Sequence, residues 1–385
     1  MRSMTAGKYI SVLLIILFVL NVVFLPNDTF QLKKVSFVLI VFINLTLFVK
    51  CKGKNVLQIF CFGLLFPTII ILHSIILTGN VVESITGGFS GYILLVYIVV
   101  NKHEIDFEKI IMKCLFALAY FMVIMAVLDF VGVVPTLENR ILLWFHESSN
   151  AKIGRSSANL LGIIYYMQAC TMLLIAIPYC LNKKLYINLF VTIGALVLSA
   201  TRANIIMAAL TTIGGLICYG RSMHKKVVKA ISCLVILLVV IICSDLVEYI
   251  EYMFEFKKAN DTIRSLTLES LFNTWSEHPG TLLYGNGYAA EFYDIGRGKM
   301  VDNAELSYWL MLWRLGLVGF AILIIMFVLP IITLIKIDMT LAIAYGAYLV
   351  VAYTNPLLYS STGVTVLLYV YWKVADLEKS HVVRC

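Results

Sequence analysis

Long apolar runs recur along this chain, separated by short charged or polar stretches. Many approach the length of about 17–25 residues at which a helix crosses the hydrocarbon core of a bilayer. A helix suits that medium because it satisfies its own backbone groups. Twelve spans are predicted, at 9–25, 35–49, 56–78, 89–100, 110–133, 158–181, 185–200, 203–219, 227–243, 304–335, 339–353 and 362–375. The fold class expected is an all-α polytopic membrane protein, with residues 1–385 forming a single integral membrane domain. Tyr9–Leu25 lacks a small-residue cleavage site after it and reads as a retained first span.

Two places strain the simple pattern. The segment 304–335 is too long for one straight crossing, so its first turns are expected to stand outside the hydrocarbon. Leu185–Gly220 is a 36-residue apolar run interrupted only at Ser199-Ala-Thr-Arg202. As one helix it would be about 54 Å long, so a tight hairpin is predicted at the interruption.

One stretch breaks the pattern altogether. Asp245–Asn303 is polar, charged and rich in aromatic residues over 59 positions. Within it Leu246, Ile250, Met253 and Phe254 recur at helical spacing, and so do Ile263, Leu266, Leu271 and Trp275, with Pro279 as the stop. Two short amphipathic helices lying on the membrane surface are expected. Glycine-bounded turns follow at Gly285-Asn-Gly287 and Gly296-Arg-Gly298.

Composition narrows the class. The chain is 61% hydrophobic and 14% charged, with a mean hydropathy of +0.94, which excludes a soluble domain. The net charge of +8 does not mark a nucleic-acid binder, because the basic residues sit at span ends and not on one patch. With the N-terminus inside, 18 of the 30 lysines and arginines fall on the inner side. The short outer connections hold Lys33, Lys34, Arg140, Lys152, Arg155 and Arg202. That bias places 245–303 as a large extracytoplasmic loop. The nine cysteines include no Cys-x-x-Cys pair and read as small hydrophobes. His146 and His278 lack the spacing of a metal site, and no cofactor-binding, nucleophile or phosphate-loop motif is present.

The candidate chemistry lies on that outer side. Arg202, within a long apolar run, costs about 2.5–3.5 kcal/mol at bilayer depth unless it sits at the interface or lines a wet cavity. It reads equally as an anion site and as an interfacial turn residue. Arg264 falls on the polar face of the second amphipathic helix, and Arg155 closes the 134–157 loop. Three guanidinium groups converging there would suit a diphosphate. Asp302, Asn303 and Glu305 open the tenth span, where a carboxylate serves either as a general base or as a cap for the helix. Arg314, further along the same helix, reads as the partner of a buried polar group. His73, Asp129 and Asn21 are too few polar groups near the spans to suggest a proton relay.

Four short stretches in order carry a resemblance. They are Gly154-Arg155-Ser-Ser-Ala-Asn159; Leu198-Ser-Ala-Thr-Arg202; Arg264 with Trp275, Pro279 and Gly285-Asn-Gly287; and Asp302-Asn-Ala-Glu305-Leu306 with Gly316-Leu-Val-Gly319. Together they resemble the Wzy-type O-antigen and capsule polymerases and the related O-antigen ligases, over about Arg155–Gly319. Asp302 stands where the ligases carry histidine, and the Arg-x10-Gly signature of some polymerases is absent.

The resemblance implies a metal-independent membrane glycosyltransferase of the C-type fold, in the inner (plasma) membrane of a bacterial cell. It would need no cofactor. The partners implied are a glycan donor and an acceptor repeat unit, each on undecaprenyl diphosphate, together with membrane lipid; a chain-length regulator is a further partner left open. Arg202 and Arg264 would neutralise the leaving diphosphate, and Asp302 or Glu305 would take the acceptor proton. Arg155, Asn159, Asn303, Arg297 and Tyr288 would bind substrate, with Tyr284, Phe292 and Tyr293 as further sugar-stacking candidates. The alternatives are ligase-type transfer to another acceptor and a transporter of polysaccharide or lipid-linked oligosaccharide. A transporter predicts glycine- or proline-broken helices at matching places in two halves, a symmetry this sequence lacks.

Overall fold

The computed structural model describes residues 6–51, 54–133, 139–155, 163–219 and 258–382. These residues form a mostly helical bundle in which α1 (Ala6–Phe24), α2 (Leu32–Ile43) and α3 (Leu45–Val49) lead. Next come α4 (Asn55–Thr78), α5 (Val81–Lys102) and α6 (Phe107–Phe130). The short helix α7 (Arg140–Glu147) precedes a hairpin of β1 (Ala151–Arg155) and β2 (Ile163–Met167). The chain continues through α8 (Cys170–Lys183), α9 (Tyr186–Leu198) and α10 (Arg202–Tyr219). Beyond are α11 (Lys258–Glu277), α12 (Gly280–Tyr284) and a second hairpin, β3 (Phe292–Asp294) and β4 (Lys299–Val301). The last helices are α13 (Ser307–Ile337), α14 (Met339–Tyr353) and α15 (Ser361–Val382).

Among the described residues five helices (α1, α4, α5, α6 and α13) are long and apolar enough to cross a membrane. Helices α8, α9, α10 and α14 are apolar but shorter. The described residues are therefore consistent with a helical membrane protein, with five of the expected spans present as long apolar helices. Helix α15 is the axis of the bundle: Val364, Val366, Leu367, Leu368, Tyr369 and Val370 are all buried, so every face of that stretch meets protein. Local sequence sets the helix ends. Asn80, Asp106, Asn139 and Asp338 each accept a backbone N–H in the first turn of the helix that follows. Gly79, at φ 68, ends α4 in the left-handed conformation.

Several expectations are corrected. The segment 35–49 is two helices that meet at Asn44. Residues 163–167, placed by sequence inside a span at 158–181, are strand β2, antiparallel to β1 with Lys152 opposite Tyr166. Ile163-Ile-Tyr-Tyr-Met167 combines β-branched and aromatic residues, which suit a strand, and Tyr165 and Met167 alternate into the core. The two hairpins mean the fold is not purely helical. The predicted span 227–243 and the first amphipathic segment at 245–256 lie outside the described residues.

The predicted hairpin is present: α9 stops at Leu198, α10 starts at Arg202, and Ala200 turns the chain at φ 52. The second amphipathic segment forms α11, with Leu271 and Trp275 buried. It packs on β3 and α13.

The excess length of 304–335 also has a different physical form. Helix α13 is broken at Gly316, whose φ of 65 and ψ of 177 are non-helical. The break frees carbonyl oxygens, and Gly285-Asn-Gly287 takes them up. The Asn286 backbone N–H donates to Trp313 O at 3.1 Å and the Gly287 N–H to Arg314 O at 3.0 Å. The Asn286 side-chain amide adds a second donor to Trp313 O at 3.1 Å. A break in an apolar helix is tolerated where such partners restore the lost bonds. Both chains must come close: a Cβ on Gly285 would lie 2.6 Å from Gly316 N, and one on Gly316 would fall on the Leu283 carbonyl.

Candidate active site

One end of the bundle encloses a cavity of about 950 Å3. Its wall is drawn from the α1–α2 turn, the start of α5, the β1–β2 hairpin, the α9–α10 turn, the first half of α13 and the α14–α15 turn. These connections alternate along the chain, as they must if successive helices run up and down. Four cations line the cavity, Lys33, Lys152, Arg264 and Arg314, against two carboxylates, Asp302 and Glu305. The charged side chains on the cavity wall therefore carry a net positive charge.

Helix α11 carries Arg264 to the rim. Its Nε and one terminal nitrogen donate to Glu305 Oε2 at 3.0 and 2.8 Å. The other terminal nitrogen reaches Asp261 Oδ1 at 3.3 Å, and Asp261 Oδ2 accepts from Arg202 at 3.3 Å. Asp261 thus bridges the two arginines that the sequence singled out. Arg202 itself lies at the first turn of α10 and does not line the cavity, although Ser199, Ala200 and Thr201 do. Its charge acts on the cavity through Asp261.

Arg314 reaches the cavity from the last turn before the α13 break. It is only 6% exposed. Its guanidinium lies 4.3 Å over the Tyr288 ring, a cation–π contact, and donates to the backbone carbonyl of Asp302. Its Nε has no hydrogen-bond partner among the described residues. A guanidinium on the cavity wall supplies a fixed positive charge there. The sequence reading, a partner for a buried polar group, holds for the Asp302 carbonyl but misses the place of Arg314 on the cavity wall.

The two carboxylates differ. Glu305 is held by Arg264 through two hydrogen bonds to one carboxylate oxygen. No hydrogen bond or ion pair reaches the Asp302 carboxylate among the described residues, and Asp302 is exposed on the cavity wall. Asp302 is the carboxylate left open to the cavity.

Other predicted residues divide. Asn303 and Tyr288 line the cavity. Arg297 does not: it donates to Asn303 O at 3.1 Å and pairs with the buried Asp294 at 3.5 Å, so it latches the β3–β4 turn to the start of α13. Phe292 is buried against Trp313, and Tyr284 and Tyr293 are exposed elsewhere, so three of the four sugar-stacking candidates do not line the cavity. The Arg155 backbone closes β1, paired with Ile163. Asn159 lies outside the described residues.

Sequence reasoning missed Lys33, Tyr166, Tyr359 and the Ser360–Thr362 turn, all on the cavity wall. Lys33 and Lys34 look alike in sequence, yet only Lys33 is buried. Burial lowers its ammonium from the usual 10.5 to about 8, partly offset by Asp28. Beside this cavity lies a second, open and apolar groove of about 620 Å3. It runs from Ala203, next to Arg202, along Trp309, Leu312, Phe320 and Tyr353.

Comparison with protein families, curated proteins and solved structures finds no match to this chain.

Proposed function

We propose that the protein polymerises oligosaccharide repeat units carried on a lipid diphosphate, at the outer face of a bacterial plasma membrane. The observation that carries this reading is the cavity itself, where Arg264 and Arg314 meet Asp302 and Glu305 beside an apolar groove. A lipid-linked glycan has the matching three parts: an apolar tail, a diphosphate and a polar sugar chain. The tail suits the groove, the diphosphate the arginines, and the sugar the hydroxyl-lined wall with Tyr288.

In this mechanism the Asp302 carboxylate takes the proton of the acceptor hydroxyl. The hydroxyl oxygen attacks the anomeric carbon of the donor from the face opposite the diphosphate. A new glycosidic C–O bond forms as the bond to the diphosphate oxygen breaks, with inversion. The lipid diphosphate leaves with the electron pair, and Arg314 and Arg264 stabilise its developing charge. Glu305 and Asp261 hold the Arg264 guanidinium in place, and Arg202 acts through Asp261. The outer placement follows from charge: the opposite ends of the helices carry Lys102, Lys109, Lys183, Lys336 and Lys373.

The test is elongation in cells that carry single-residue variants. Arg264→Ala and Arg314→Met are expected to insert normally and leave single repeat units in place of polymer. Normal-length polymer in both variants would reject the reading. A transporter remains the second reading, because the α13 break resembles the broken helices that line transport sites. It predicts loss of translocation in those variants with elongation intact.

A further inference from the structure

Lys33 is buried to 7% exposure on the wall of the cavity. Its backbone N–H donates to Asp28 Oδ1 at 2.8 Å. Its ammonium donates to Pro26 O at 2.6 Å and to Ser361 Oγ at 3.1 Å, and Ser361 Oγ in turn donates to Pro26 O at 3.3 Å. Both acceptors are neutral. Among the described residues no carboxylate forms an ion pair with this ammonium. Its third proton has no acceptor among them either.

Asp28, itself buried, is the carboxylate whose charge favours this ammonium, but it forms no ion pair with it and only partly offsets the cost of burial, so the position asks for a reason. The surroundings are those of an anion site: Asn27, Ser360 and Thr362 supply neutral donors, and Lys152 and His146 line the same cavity. None of these residues hydrogen-bonds to Arg264 or Arg314, whose partners are Glu305, Asp261 and Asp302.

We propose that Lys33 anchors a second anion site of the cavity, separate from the Arg264–Arg314 site, which takes a phosphate or diphosphate group. The inference rests on the proposed function only for the source of the anion. A reaction between two lipid-linked substrates brings two diphosphates, of which one leaves and one stays on the acceptor product. Arginines suit the leaving group, and a lysine, as a point charge, suits the one that is only held.

The competing account is that Lys33 merely locks the 26–33 turn to the 360–362 turn. Calorimetry separates the two, with the full chain in detergent at pH 7 and inorganic pyrophosphate as the probe. Two pyrophosphates per chain are expected for the natural protein and for Lys33→Arg. One is expected for Lys33→Met, and one for the Arg264→Met Arg314→Met double variant. Two equal sites in Lys33→Met would overturn the proposal.

A second readout needs no variant. Lys33 loses its charge near pH 8 whereas arginine keeps its own, so between pH 7 and 9 one site should weaken about tenfold relative to the other. The probe's own titration affects both sites and cancels in that ratio. The charged or titratable groups around Lys33 are Asp28, Lys34, Lys152 and His146. An unchanged ratio would also overturn the proposal. Farnesyl diphosphate identifies the source: displacement of both pyrophosphates assigns a lipid headgroup, and displacement only at the arginine site assigns a free phosphate to Lys33. Two sites in a protein that makes no polymer would sink the functional reading and leave the Lys33 site standing. Polymer with an unaltered Lys33→Met titration would do the reverse.

Discussion

Gly285→Ala tests whether the plugged break of α13 organises the site. Gly285 has φ 83 and ψ 176, a region open to glycine and almost closed to other residues. A side chain there costs about 1–3 kcal/mol in backbone strain. The added Cβ would also fall on the Arg314 carbonyl and lie 2.6 Å from Gly316 N, both backbone atoms that cannot swing aside. Overpacking of that kind costs about 1–3 kcal/mol more, so the total is about 2–6 kcal/mol. Gly298→Ala is the control. Gly298 has φ 64, but its Cβ would meet nothing within 4 Å, so only the backbone cost of about 1–2 kcal/mol remains. Thermal unfolding of both variants in the same detergent should give clearly the lower midpoint for Gly285→Ala. Because the clash is with the Arg314 backbone, elongation should also fall further in that variant. Equal midpoints for the two alanines would refute the account of the break.

Asp302→Asn should abolish elongation with insertion and stability intact, whereas Glu305→Gln should reduce it in part by loosening Arg264; rates of product formation in isolated membranes decide. Lys33 carries a pH signature in stability. Its pKa is about 8 when folded and 10.5 when free, so the unfolded chain holds more protons between those values and stability should rise with pH across that window. The gain is about 3 kcal/mol at most, and the rise should vanish in Lys33→Met, measured by unfolding midpoints from pH 7 to 10.5. A cysteine at the exposed Ser265, in a cysteine-free background, should react with an impermeant maleimide added outside intact cells; protection there would reverse the assigned orientation.

The helical class was legible because apolar periodicity records burial and lipid exposure alike, and the 199–202 hairpin was legible because no single helix of that length fits a bilayer. The β1–β2 hairpin was hidden for the same reason: Ile163–Met167 is as apolar as a span, and its strand character comes from pairing with residues 151–155. The break at Gly316 was not visible either, since Gly316 reads as one weak helix position until Gly285-Asn-Gly287 is brought against it. At the site, Arg264, Asp302 and Glu305 were found because they are charges in unusual company. That Arg297 pairs with Asp294 off the cavity wall was not legible, because Asp294 is invisible as a buried group in sequence. Lys33 was undervalued because a lysine before an apolar run usually marks a membrane boundary, and only the turns at 26–33 and 360–362 together enclose it.

The central claim is that cavity guanidinium groups hold the diphosphate of a lipid-linked glycan while a sugar is transferred. Its most direct test is elongation by the purified full chain, supplied with repeat units on a short prenyl diphosphate and resolved by gel length. The account predicts ladders of polymer for the natural chain and single units alone for Arg264→Met Arg314→Met with its unfolding midpoint preserved. Ladders of equal length from both proteins would contradict it.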